Sequence, residues 1–114
     1  MRLGDAEWCA MLRKHAERMY TATLPHYVYC ISDGHGKVKI GITVNLEQRE
    51  KQLKHANPDI SIKDFIEVAN RETAYKVEGE LHECAYMFHV SGEWYTEKAF
   101  EIFKKAKEAK EHSK

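Results

Sequence analysis

Four side chains in this sequence are of types that handle phosphate and metal chemistry, and they recur at spacings that invite convergence: Tyr29, Lys39, Arg49 and Glu78. At about 100° per residue, a helix starting at Leu46 has Leu46, Leu53 and Ala56 as its apolar arc, and Arg49 falls inside that arc. A second helix, after Asn70, has Ala74, Val77, Leu81 and Ala85 as its arc, with Glu78 at the margin. Two helices thus each aim one of two opposite charges toward the body of the domain. A structural Arg–Glu ion pair, or long side chains snorkelling past the core to water, accounts for this pattern. So does a concave polar site, in which Glu78 holds a divalent cation and Arg49 neutralises a phosphate. The residues alone leave both readings open.

Neighbouring residues carry the same double reading. Tyr27 and Tyr29 are two apart and share a strand face, as half-buried packing or as phenols able to act as bases. Lys39 is a solvated charge, or a cation beside Tyr29 on the paired strand that contacts phosphate. His82 lies four residues after Glu78, on the same helix side. His82 and Cys84 are poorly spaced for zinc, because residues two apart on a helix face differently. Trp94 reads as core or aromatic cover, with base stacking as the alternative. His89 has no nameable partner.

These residues need a scaffold. Asp5 to about Thr21 has helical periodicity through Trp8, Met11, Leu12, His15 and Met19, and Leu24-Pro25 ends it. Tyr27–Ser32 and Lys37–Thr43 are strands around the turn Asp33-Gly34-His35-Gly36, hence a hairpin. In the second strand Val38, Ile40 and Ile42 alternate with Lys39, Gly41 and Thr43, and Gly41 suggests close approach of a helix or phosphate. Asn45 with Gln48 predicts a cap and a helix to about His55, stopped by Asn57-Pro58. Ile60–Ala69 is a third strand, Asn70 caps a helix to about Ala85, Gly92–Tyr95 is a short strand or turn, and Glu97 to about Lys110 is a last helix. The expected fold is α/β of the α+β type, a small three-stranded, mainly antiparallel sheet flanked by helices. Residues 1–24 form an N-terminal helical extension, 25–97 the domain, and 98–114 a C-terminal helix packed on it with a frayed end.

With 114 residues, 43% hydrophobic and 32% charged, the chain has the apolar content for one core. Lysine plus arginine balances aspartate plus glutamate at 18 each, so net charge carries no nucleic-acid signal and a basic surface has to be local. Three cysteines, an odd number without C-x-x-C spacing and without a secretory leader, read as reduced thiols in a cytoplasmic protein. No apolar run is long enough to span a bilayer, so no membrane association is expected. Lysines outnumber glutamates in the tail from Lys98 to Lys114, as a solvated helix face or one that approaches a nucleic-acid backbone. Trp8, Met11 and Met19 either pack on the domain or support a dimer.

Taken in order, Y-V-Y at Tyr27–Tyr29, K-I-G-I-T from Lys39, Arg49 eight past Gly41, E-G-E-L-H from Glu78 and G-E-W-Y from Gly92 resemble the GIY-YIG nuclease superfamily, in its small phage and prophage branch. The resemblance covers roughly residues 26 to 97. It implies a DNA-acting protein, an endonuclease cleaving phosphodiesters with one divalent cation, Mg²⁺ or Mn²⁺. It implies Glu78 as metal ligand, Arg49 as phosphate stabiliser and Tyr29 as the phenol that helps activate water. Lys39 stands where better-studied nucleases carry tyrosine, and His89 where the branch often carries arginine. The residues expected to meet nucleic acid are Tyr27, Lys37, Lys39, Arg49, His82 and Trp94. The alternative expectations are a catalytically weak or inactive module that binds DNA or a host or phage protein, and a structural protein in which Arg49 and Glu78 merely pair.

Overall fold

A computed structural model describes residues 4–112. The frayed end expected around residues 113–114, Lys114 included, lies outside the described residues, as do residues 1–3 of the N-terminal extension. The chain runs through α1 (Asp5–Thr23), β1 (His26–Ser32), β2 (Lys37–Thr43), α2 (Leu46–Ala56), β3 (Ser61–Val68) and α3 (Arg71–Cys84). A 3₁₀ turn at Tyr86–Phe88, then β4 (His89–Ser91), β5 (Trp94–Thr96) and α4 (Lys98–His112) complete it. No helix among the described residues is long and apolar enough to cross a membrane.

Local chemistry explains the boundaries. In the β1–β2 turn Asp33 Oδ1 accepts from the backbone N–H groups of His35 (2.7 Å) and Lys37 (3.0 Å), while Gly34 and Gly36 take positive φ values. The Asn45 side chain accepts from the Gln48 N–H at 3.0 Å and starts α2. The Asn70 side chain accepts from the Thr73 N–H at 2.9 Å and starts α3. Each cap satisfies one of the donors that a helix start leaves orphaned.

The sheet has five strands in the order β3-β1-β2-β5-β4, with antiparallel neighbours throughout. This corrects the expected three strands. Beta-5 falls on the stretch expected as a short strand or turn, whereas β4, three residues long, is too short for a two-residue alternation to announce it, and the two exist by pairing with β2 and with each other. On one face Val28, Cys30, Val38, Ile40, Ile66 and Val68 pack against Ala74, Val77 and Leu81 of α3 and Ala99 and Phe103 of α4. On the other face Tyr29, Ile31 and Ile60 form a smaller core, covered by Leu46 and Leu53 of α2 and by Trp94. Ala56, placed on the apolar arc of α2 by periodicity, is exposed beyond the reach of that small core. Glu50 of α2 ties the helix down, accepting from the Ile62 N–H at 2.9 Å.

The N-terminal helix behaves differently. Alpha-1 contains no buried residue, so of the two alternatives for Trp8, Met11 and Met19, packing on the domain is excluded.

Candidate functional site

The β1–β2 register sets Tyr29 opposite Gly41 and Ile31 opposite Lys39, so Lys39 is diagonal to Tyr29 on the α2 face rather than directly beside it. Gly41 has a specific job. A methyl group there would lie 2.6 Å from the Tyr29 hydroxyl and 2.7 Å from its Cζ. The strand therefore makes room for a tyrosine ring, where the sequence suggested a helix or a phosphate. Tyr29 is 1% exposed, and its hydroxyl accepts from Arg49 Nε at 3.2 Å. Arg49 also donates to Gln52 at 3.4 Å, one turn further along α2.

Beta-5 pairs with β2 only at Lys37, Val38 and Lys39. From Ile40 onward the outer edge of β2 has no strand partner among the described residues, which leaves a notch in the sheet. Lys39 Nζ lies 2.6 Å from the carboxylate of Glu93, in the turn between β4 and β5. That hydrogen bond and the lysine charge hold the Glu93 carboxyl below its usual value, and the charges of His82 and Arg49 act in the same direction. Glu93 thus feels Arg49 from the α2 side and His82 from the α3 side.

Glu78 is half-buried on α3. Burial pushes its carboxyl up, the negative charge of Glu93 adds to this, and His82 opposes it. Glu78 makes no hydrogen bond and no ion pair among the described residues, and Arg49 and Glu78 do not pair directly. The structural reading in which they merely neutralise each other is excluded. His82 is fixed from its other side, with Nδ1 2.6 Å from the Tyr95 hydroxyl and the two rings 5.6 Å apart. Burial, followed by the charge of Glu78, raises the Tyr95 phenol. Tyr95 and Glu93 belong to the quoted G-E-W-Y motif, yet no role was read for them. Lys39 reaches Glu93 because β5 pairs with β2, and His82 reaches Tyr95 because α3 packs on that part of the sheet.

The other nominated residues lie apart from this cluster or at its border. Tyr27 donates to Glu67 Oε1 at 3.3 Å and meets Phe65 edge-on at 5.7 Å, and the Glu67 carboxylate pushes its phenol up. Lys37 is exposed opposite Thr96, and its charge acts on Asp33. Trp94 is half-buried against the small core, opposite Lys39. His89 acquires a partner, with Nε2 2.8 Å from the Gly92 carbonyl and its ring edge-on to Tyr95. The three cysteines are free thiols, with Cys30 buried and Cys9 and Cys84 exposed.

Among the described residues no group of three or more histidine, cysteine, aspartate or glutamate side chains converges in a way that could hold a metal ion. Glu78 offers one carboxylate with uncommitted oxygens. That donor set fits only the class of Mg²⁺ site in which one or two carboxylates act together with water and substrate phosphate oxygens.

No curated protein and no solved structure matches the chain significantly. The family model of the T5orf172 domain matches residues 25–111, from the start of the hairpin through most of α4. The GIY-YIG resemblance is thereby corrected, since the matching family is a distinct one. The motifs that suggested it are a hairpin strand pair, a helix arginine, a helix glutamate and a closing aromatic strand, and such short elements recur wherever a small sheet is packed this way. With that match extending over most of its length, the chain belongs to the phage-associated T5orf172 domain family.

Proposed function

We propose that this domain acts on nucleic-acid phosphodiesters at the notch beside Gly41, as a divalent-metal-dependent DNA endonuclease. The observation that supports the reading is that Glu93, bonded to Lys39 beside the open edge of β2, feels both Arg49 from one face of the sheet and His82 from the other, and itself acts on Glu78. Arg49, aimed by Tyr29, would meet a phosphate oxygen as a charged fork. Lys39 would supply a second cation once a phosphate replaces Glu93. Glu78 would hold Mg²⁺ or Mn²⁺, which when bound neutralises charge developing at phosphorus. His82, oriented by Tyr95, would hold a proton beside Glu78.

The test is nicking of supercoiled plasmid and of branched DNA in Mg²⁺ or Mn²⁺, with Glu78→Ala and Arg49→Ala alongside. The expected result is metal-dependent cleavage that falls by about 100-fold or more in either variant. Equal cleavage by wild type and Glu78→Ala, or none by either on a broad substrate panel, ends the catalytic reading.

One observation favours a second reading, in which the domain binds DNA, or a phage or host protein, without cutting. Lys39 is already engaged by Glu93, and the metal site offers a single carboxylate. That reading predicts binding without product. For DNA it predicts affinity that drops with salt and weakens on Arg49→Ala. Cleavage abolished by Glu78→Ala removes it.

A further inference from the structure

Alpha-1 lies outside the family match and stands off the domain. Its C-terminal end meets the body, where Ala22 and Thr23 line a cavity with Asn70, Arg71, Glu72 and Tyr75 of the α3 start. The described chain accordingly has a radius of gyration of 17.1 Å and a longest extent of 53 Å. A compact chain of this length has a radius near about 13 Å.

Residues 5–20 of the helix are thus presented to solvent, and they are not polar all round. Trp8, Met11, Leu12, Ala16 and Met19 fall within one arc of the wheel, with Tyr20 at its edge. Trp8 is 47% exposed, Leu12 57% and Met19 61%. An isolated helix of this length is marginal in water, and its apolar face normally contributes the missing stability by packing.

We infer that α1 is a dimerisation helix that pairs antiparallel with α1 of a second copy of this chain. The charges choose the occupant. Glu7 and Arg18 are eleven residues apart, about three turns, so both lie on the same margin of the apolar arc. A parallel pair would set this margin against the opposite margin of the other copy, so Glu7 and Arg18 would not meet. An antiparallel two-fold pair centred near Leu12 sets each Glu7 beside the Arg18 of the other copy, twice by symmetry, while Trp8 of each copy approaches Met19 of the other. The remaining polar face mixes Arg13 and Lys14 with Glu17. A helix built to lie on an anionic membrane surface would carry a predominantly basic polar face instead.

This inference does not depend on the phosphodiester reading, and its test does not use DNA. The full chain is studied by sedimentation equilibrium in reducing buffer, so that exposed Cys9 contributes no disulfide. The expected result is a reversible dimer. Leu12→Glu gives a monomer that keeps the cooperative thermal transition of the domain, because Leu12 is exposed and supports nothing in the domain core. Glu7→Arg and Arg18→Glu each weaken the dimer by about tenfold or more, and the two together restore it. The double variant matters because Glu7 also accepts from the Gly4 N–H at 3.2 Å, and loss of that cap alone would not be rescued by Arg18→Glu. A monomeric wild type at the highest concentration reached, a dimer unaffected by Leu12→Glu, or a double variant as weak as the singles overturns the inference. Wild-type flotation with phosphatidylserine vesicles in the absence of any dimer would assign the face to a membrane and overturn it equally.

Discussion

Glu78 shows how a single side chain trades stability for a chemical opportunity. Its carboxyl is pushed up chiefly by burial, and the shift has a definite sign. A carboxyl that is harder to ionise in the folded state than in the unfolded chain lets the unfolded state shed its proton first. Its contribution therefore favours folding at low pH and is lost as pH rises through the folded value. Glu78→Gln is expected to raise the thermal midpoint at pH 7–8, with the gain disappearing as pH falls below about 4.3, the ordinary glutamate value. Thermal melts of the two proteins across that range check it. Cys30 has the same kind of environment, and burial pushes its thiol up to about 12 without giving it an exposed partner.

At the scale of elements, strand β2 gives up a side chain so that β1 can keep one. Glycine within a strand costs about 0.5–1 kcal/mol relative to alanine, yet here alanine is the worse choice. Its methyl group would meet the buried Tyr29 ring, which is held between α2 and the sheet and bonded to Arg49. Gly41→Ala is expected to destabilise the fold by about 1–3 kcal/mol, measured by urea unfolding, and to shift Arg49. An unchanged denaturation midpoint would mean that Tyr29 moves freely, and the account of how Arg49 is aimed would fail. The two helices that supply the charges cover opposite faces of the sheet. Arg49 and Glu78 therefore start from opposite faces, and the site proposed for them requires the edge of β2 that β5 leaves open beyond Lys39.

For the whole molecule, the domain and its N-terminal helix are separable. Alpha-1 buries no residue of its own, and the core runs from β1 to α4. Deleting residues 1–23 keeps Leu24, whose carbonyl is bonded to the buried His26. In dilute solution, where dimerisation adds nothing by mass action, the deletion is expected to change the thermal midpoint by less than about 3 °C. Calorimetry of the truncated chain checks this. A large loss would show that α1 supports the core after all.

By itself the sequence determined what depends on neighbours a few residues apart. It placed the hairpin around Asp33–Gly36, the caps at Asn45 and Asn70, the four long helices and the buried arc of α3, with Glu78 at its margin. Those features follow from turn chemistry and from contacts between residue i and i+3 or i+4. Tertiary structure alone decided the rest. It added β4, chose strand over turn for β5, set Tyr29 opposite Gly41, engaged Lys39 with Glu93 and His82 with Tyr95, and left α1 unpartnered. Each of these depends on strand register and on which face a helix covers. Such pairings join residues a dozen or more positions apart, beyond the reach of local periodicity.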